Sequence, residues 1–271
     1  MSDDSLADFD AAEFTHGGRT RTVFRIGTGP AVIVIAEMPG ITPKVADFAR
    51  RVAGIGCTAV LPHLFGVPGK DPYAAGRLAM VRYTMASVAS VCVSREFTVW
   101  ATERTSPVVE WLRALAAGEH GRLGGPGVGA VGMCFTGGFA LAMATHPSLV
   151  APVLSQPSLP FPLRPARRRA IDCSAADLDT VRRRCADEGL EVLGLRFRGD
   201  RIVPAERFGL LRERLGDAFV AVELEDDAAN PDSMNPPHSV LTEDLIDEPG
   251  QPTRAALDQV LDLFRARLLP T

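Results

Sequence analysis

The run AVIVIA at residues 31–36 is the tightest constraint on how this chain folds. It is apolar at every position and mostly β-branched, so it offers no face to water. A strand of that kind is buried on both sides, as in a parallel sheet covered by helices. The segments around it keep to the same plan. TRTVFRIG (20–27) alternates and suits an edge strand. ITPKVADFARRVAGIG follows as a helix, with Thr42 as cap, Pro43 at its first position, and Gly54 or Gly56 at its end. CTAVLP (57–62), GVGAVGMC (127–134), LVAPVLS (149–155), LEVLGLRFRGD (190–200) and AFVAVELED (218–226) read as further strands. Helical patterns separate them: SPVVEWLRALAAG (106–118, Ser106 as cap), GGFALAMATH (137–146), SAADLDTVRRRCADEG (174–189), PAERFGLLRERLG (204–216) and PTRAALDQVLDLFRARL (252–268). Such alternation predicts a mostly parallel twisted sheet with helices on both faces, in which ligands bind at the carboxyl ends of the strands.

Composition narrows the function. The 271 residues, 46% of them apolar, suit one α/β domain over 1–271. The segments at about 64–120 and 156–189 are the candidates to cover a pocket. The net charge is −4 and no long run has one sign, which argues against nucleic acid or an anionic membrane as partner. The basic cluster RPARRR (164–169) is local and reads as a solvated loop. The start, MSDDSLADFD, is acidic and lacks the apolar stretch of a signal peptide, and no apolar run nears the roughly 20 residues of a membrane span. The five cysteines are scattered and none forms a Cys-x-x-Cys pair, as expected of a reduced, cytoplasmic protein with neither disulfide framework nor zinc site.

Within GAVGMCFTGG (129–138), Cys134 stands where a strand stops and a helix starts. Gly132 and either Gly137 or Gly138 allow the close chain approach of a nucleophile elbow. The following helix points its N-terminus at the thiol, which favours the thiolate. The alternative is a buried, inert cysteine. Cys57 and Cys92 read as structural, and Cys173 and Cys185 carry no role. In sheets with such an elbow the chain order is nucleophile, acid, histidine. Asp200, in RFRGDRIVP, ends a strand and is the expected acid, with Asp226, Asp227 and Asp232 as fallbacks. Among His16, His63, His120, His146 and His238, only His238 follows it, in the long loop NPDSMNPPHSVLT. Glu37 ends the AVIVIA strand and must face solvent, a partner or the site. The loop after it supplies one oxyanion donor, Met38 N–H, and Phe135 N–H supplies the second.

These motifs resemble those of the dienelactone hydrolase family, small enzymes of the α/β-hydrolase fold with a Cys–Asp–His triad. The resemblance runs from about Val23 to Leu268. GMCFTGG is similar to the family's Gly-x-Cys-x-Gly-Gly signature, and AEMPGI to its glutamate-bearing strand end. It implies that Cys134, Asp200 and His238 form the triad and that Glu37 helps to generate the thiolate. Two positions depart from the pattern. Thr136 stands where the family usually has glycine. Thr242 stands where its lactonases place an arginine that binds the substrate carboxylate. Arg82 and Arg95 are the remaining candidates for such an anion contact. The expected activity is hydrolysis of an ester or lactone of a small carboxylic acid, with no metal and no organic cofactor. A thioesterase or acyltransferase on the same triad, or a non-catalytic binding protein on the same fold, are the alternatives.

Overall fold

The computed structural model describes residues 2–74, 76–93, 96–97 and 104–269. Its sheet has eight strands: β1 (Asp10–His16), β2 (Arg19–Gly27), β3 (Ala31–Ile35), β4 (Thr58–Pro62), β5 (Val128–Met133), β6 (Leu149–Ser155), β7 (Val192–Phe197) and β8 (Phe219–Leu224). They lie in the order β1-β2-β4-β3-β5-β6-β7-β8. β2 pairs antiparallel with both β1 and β4, and all other neighbours are parallel. This corrects the expectation that TRTVFRIG is an edge strand: β1 lies outside it. β1 (DAAEFTH) is exposed along nearly its whole length, so no apolar period marked it in the sequence.

The helices are α1 (Pro43–Gly54), α2 (Arg77–Val93), α3 (Val108–Leu123), α4 (Gly137–Met143), the single turn α5 (Pro165–Arg168), α6 (Ala175–Glu188), α7 (Ala205–Leu215) and α8 (Pro252–Leu268). β3 shows why they take both faces. Ile33 and Ile35 join the core that contains Trp111 and Leu112 of α3, Phe139 of α4, Leu178 of α6 and Phe208 of α7. Val32 and Val34 join the opposite core, with Phe48 of α1 and Phe264 of α8. A strand apolar on both faces thus serves two cores at once.

Local chemistry sets the helix ends. Thr42 Oγ1 accepts the Val45 N–H at 3.3 Å and caps α1. Ser106 does not cap α3: Pro107 takes that position, and the Ser106 hydroxyl instead donates to Asp172 Oδ2 at 2.6 Å. This bond ties the start of α3 to the irregular stretch 156–174. A second tie is stronger. Arg207 of α7 is fully buried and points its guanidinium at backbone carbonyls. It donates to Ala170 O (2.6 Å), Pro157 O (2.5 Å), Pro160 O (2.7 Å) and Arg167 O (3.1 Å), and more weakly to Ile202 O (3.5 Å). Buried carbonyls need donors, and one planar fork supplies four of them in a stretch that has no sheet of its own.

Candidate active site

β5 delivers Cys134 to the carboxyl edge of the sheet. Cys134 is in the left-handed region (φ +51°), and a 3-10 turn from Cys134 to Thr136 leads into α4. A non-glycine residue there is held against its preference by its surroundings. Two glycines make the corner. A Cβ on Gly132 would lie 2.2 Å from Thr136 O, and one on Gly137 would lie 2.4 Å from Pro157 Cα. Thr136, the departure from the family pattern, is completely buried and adds a stitch. Its hydroxyl accepts the Met133 N–H at 3.0 Å and lies within donating distance of Ile35 O at 2.9 Å, joining the elbow to β3.

β7 delivers Asp200, and the loop after β8 delivers His238. Asp200 Oδ1 accepts the Ile202 N–H at 2.8 Å, and Oδ2 faces His238 Nδ1 at 2.6 Å. The His238 backbone is fixed by Asp244, whose Oδ2 accepts the N–H groups of His238 and Ser239, each at 2.8 Å. His238 Nε2 is buried and makes no hydrogen bond of ordinary geometry among the described residues. Burial lowers the ring's proton affinity. The charge of Cys134 and hydrogen bonds to Asp200 and Cys134 outweigh that, so the imidazole titrates well above the ordinary histidine range. The contact to sulfur is thus loose but felt, as nucleophile–base pairs often are before substrate binds.

The fallback acids are placed otherwise. Asp226 Oδ1 accepts the Gly199 N–H at 2.8 Å and so shapes the turn before Asp200, while Asp227 and Asp232 are exposed. His63, His120 and His146 bond locally, to Gly66 O, Gly125 O and Ser148 Oγ.

Glu37 is buried beside this group. It accepts from Ser239 Oγ (2.7 Å), Gln156 Nε2 (3.2 Å) and Thr242 Oγ1. Burial raises its carboxyl above the usual range, opposed by those three donors and by His238. Among the described residues no hydrogen bond joins it to Cys134. Thr242, at the position of the family's arginine, is buried and committed to Glu37 rather than to a substrate.

A cavity of about 800 Å³ opens over Cys134. Met38 and Phe135 both border it, and the Phe135 ring is packed edge-to-face against Phe65, Phe97, Phe139 and Phe161 at 5.6–6.4 Å. Tyr73, Met80 and Thr84 reach it from one side, and Ser158 and Phe161 from the other. Arg82 is exposed on α2 and is not among the described residues that border the cavity. Arg95 lies outside the described residues. Arg201, directly after Asp200, borders the cavity and carried no sequence signal beyond that adjacency. Among the described residues no three His, Cys, Asp or Glu side chains are grouped to hold a metal, no helix is long and apolar enough to cross a membrane, and Cys57, Cys134, Cys173 and Cys185 are free thiols.

The strand order, the elbow at the end of β5 and the carboxylate-bound histidine define an α/β-hydrolase. Its sequence matches the dienelactone hydrolase family over residues 21–181, and the chain belongs to that family and is a hydrolase. Solved structures share the fold at low identity. A dienelactone-hydrolase-like promiscuous phosphotriesterase from metagenomic libraries is 17% identical, with 96% of this chain and 98% of that one covered and a TM-score of 0.63. A cold-adapted esterase from an Arctic intertidal metagenomic library is 15% identical, with 99% and 100% covered and a TM-score of 0.57. A dienelactone hydrolase from Anabaena variabilis is 17% identical, with 96% and 98% covered and a TM-score of 0.51. No curated protein matches the sequence.

Proposed function

We propose that this chain hydrolyses esters or lactones of small carboxylic acids through a thioester on Cys134. The observation that carries the proposal is the histidine. His238 is bound through Nδ1 to Asp200, its buried Nε2 is left with only the loose contact to sulfur, and Cys134 raises its proton affinity from a strained corner beside the cavity. In the first step Sγ attacks the carbonyl carbon. The oxyanion is met by the Met38 and Phe135 N–H groups, and the C–O bond breaks as His238 Nε2–H protonates the leaving oxygen. In the second step water attacks the thioester while Nε2 takes its proton, and the acid leaves. Asp200 holds the ring in the tautomer that presents Nε2 to both steps. The scheme calls on no metal or organic group. The segments that carry Tyr73 and Phe161 set which acids fit.

The test is a panel of aryl esters and lactones, with mass detection of an acyl adduct on Cys134 after rapid quenching. Cys134→Ala should abolish turnover and adduct while keeping the melting temperature. If that variant turns over every substrate at the normal rate, the nucleophile is elsewhere. If the folded wild type binds such compounds without cleaving any, the chain is a binding protein on this fold.

A further inference from the structure

The sheet edge carries a second strained corner beside the elbow. β6 is hydrogen-bonded to β5, and directly after it Gln156 also lies in the left-handed region (φ +38°). That corner is gripped from three sides: Gln156 N–H donates to Leu195 O at 2.8 Å, its Nε2 to Glu37, and its Oε1 accepts the Val240 N–H at 3.4 Å. The next residue, Pro157, presses on Gly137 and gives its carbonyl to Arg207. The result is a fixed position for Ser158. Its N–H donates to Cys134 O at 2.9 Å, and its Oγ lies 3.6 Å from Cys134 Sγ. Ser158 is fully buried, and Sγ is the one hydrogen-bond partner its hydroxyl has among the described residues.

A buried hydroxyl needs an acceptor of some strength, and a neutral thiol is a weak one. A thiolate is a strong one. With S–H either atom of the pair can donate, whereas with S⁻ only Ser158 can, and the bond is then the stronger one. We infer that Ser158 is a further catalytic residue, whose O–H donates to the Cys134 sulfur whenever that sulfur is negative. The inference rests on the Cys134 mechanism proposed above and deepens it. Whenever Cys134 has given its proton to His238, the hydroxyl supports the thiolate opposite the imidazolium. In deacylation, water gives its proton to His238 Nε2 and its oxygen bonds the acyl carbon. As the intermediate collapses, the C–S bond breaks and its electron pair goes to Sγ, where the Ser158 O–H meets it. No proton leaves Ser158. The titratable groups around the sulfur are His238 and Asp200, from the loops after β8 and β7, and Glu37 at the end of β3. Ser158 is neutral and adds a donor without adding another titration.

The test is the pH profile of Cys134 alkylation by iodoacetamide, which needs no ester hydrolysis, read together with thiolate ultraviolet absorbance and the single-turnover rate of thioester breakdown. Ser158→Ala should move the acid limb of alkylation to higher pH, reduce the rate below that limb by about tenfold or more, and slow deacylation by a similar factor. Ser158→Thr, which keeps the hydroxyl, should restore the limb. Should Ser158→Ala not fold, Ser158→Cys keeps the volume, weakens the donor and gives the same comparison. An unchanged alkylation profile and deacylation rate in the folded variant would overturn the assignment and leave Ser158 as packing. A shifted alkylation limb in a protein that cleaves no ester would keep the contact with sulfur and overturn the hydrolytic reading instead.

Discussion

In the proposed mechanism Asp200 acts on Cys134 only through His238, and the geometry makes that coupling testable. Asp200 spends one oxygen on the Ile202 N–H and the other on the ring. His238→Ala and Asp200→Asn should each lose ~10²–10⁴ in kcat/KM. Either change added to Cys134→Ala should cost almost nothing more, because the three groups work as one unit. Multiplying effects, measured across the full set of single and double variants, would show separate roles. The three residues proposed for this unit could be nominated from the sequence because elbow, strand end and chain order leave few choices. Thr242 and Ser158 were not. Thr242 read only as a missing arginine, whereas its hydroxyl is bound to Glu37. Ser158 stands in a proline-rich run with no motif, and only the parallel pairing of β5 with β6 brings it to the sulfur.

The stretch between β6 and α6 shows what periodicity can and cannot reveal about elements. AVIVIA announces itself by being apolar throughout and α8 by repeating an apolar face. The stretch 156–174 repeats nothing and is shaped by buried polar groups from other elements, chiefly Arg207 and the Ser106–Asp172 bond. β1 escaped notice for the opposite reason, being too exposed to carry a pattern. Asp172 gives this stretch a pH dependence. Burial pushes its carboxyl from 3.8 up to about 7, against the pull of Ser106 and Arg207. A carboxyl raised in this way binds its proton more tightly when folded. Its contribution is therefore complete below about pH 4 and is lost as pH rises through about 7. Asp172→Asn keeps the size and removes the titration. The melting temperature of the wild type should fall across that window relative to the variant's. Parallel curves for the two proteins would place the proton elsewhere.

Across the molecule, the charged side chains that border the cavity are mostly acidic. Glu37, Glu243 and Asp244 border it, Arg201 is the one lysine or arginine in the described wall, and Arg82 is exposed and outside that wall. Glu243 is pushed up to about 7, first by burial and then by Glu37, with Lys44 opposing. Preference for a carboxylated lactone over its methyl ester should therefore be modest at most. It should shrink further as pH rises through about 7 and Glu243 ionises. Glu243→Gln should flatten that trend, measured as the ratio of kcat/KM for the matched pair so that triad titration cancels. An acid preference above about a hundredfold, which is more than one hydrogen bond to a charged group commonly supplies, would reveal a carboxylate site elsewhere in the cavity. The Arg207 fork has a consequence of another kind. It grips main-chain oxygens at Pro157, Pro160, Arg167 and Ala170, which every amino acid carries. The main-chain path of this stretch is therefore held by contacts that do not depend on its own side chains. Phe161, which lies between the gripped carbonyls and borders the cavity, can then be exchanged while the main chain beneath it stays constant.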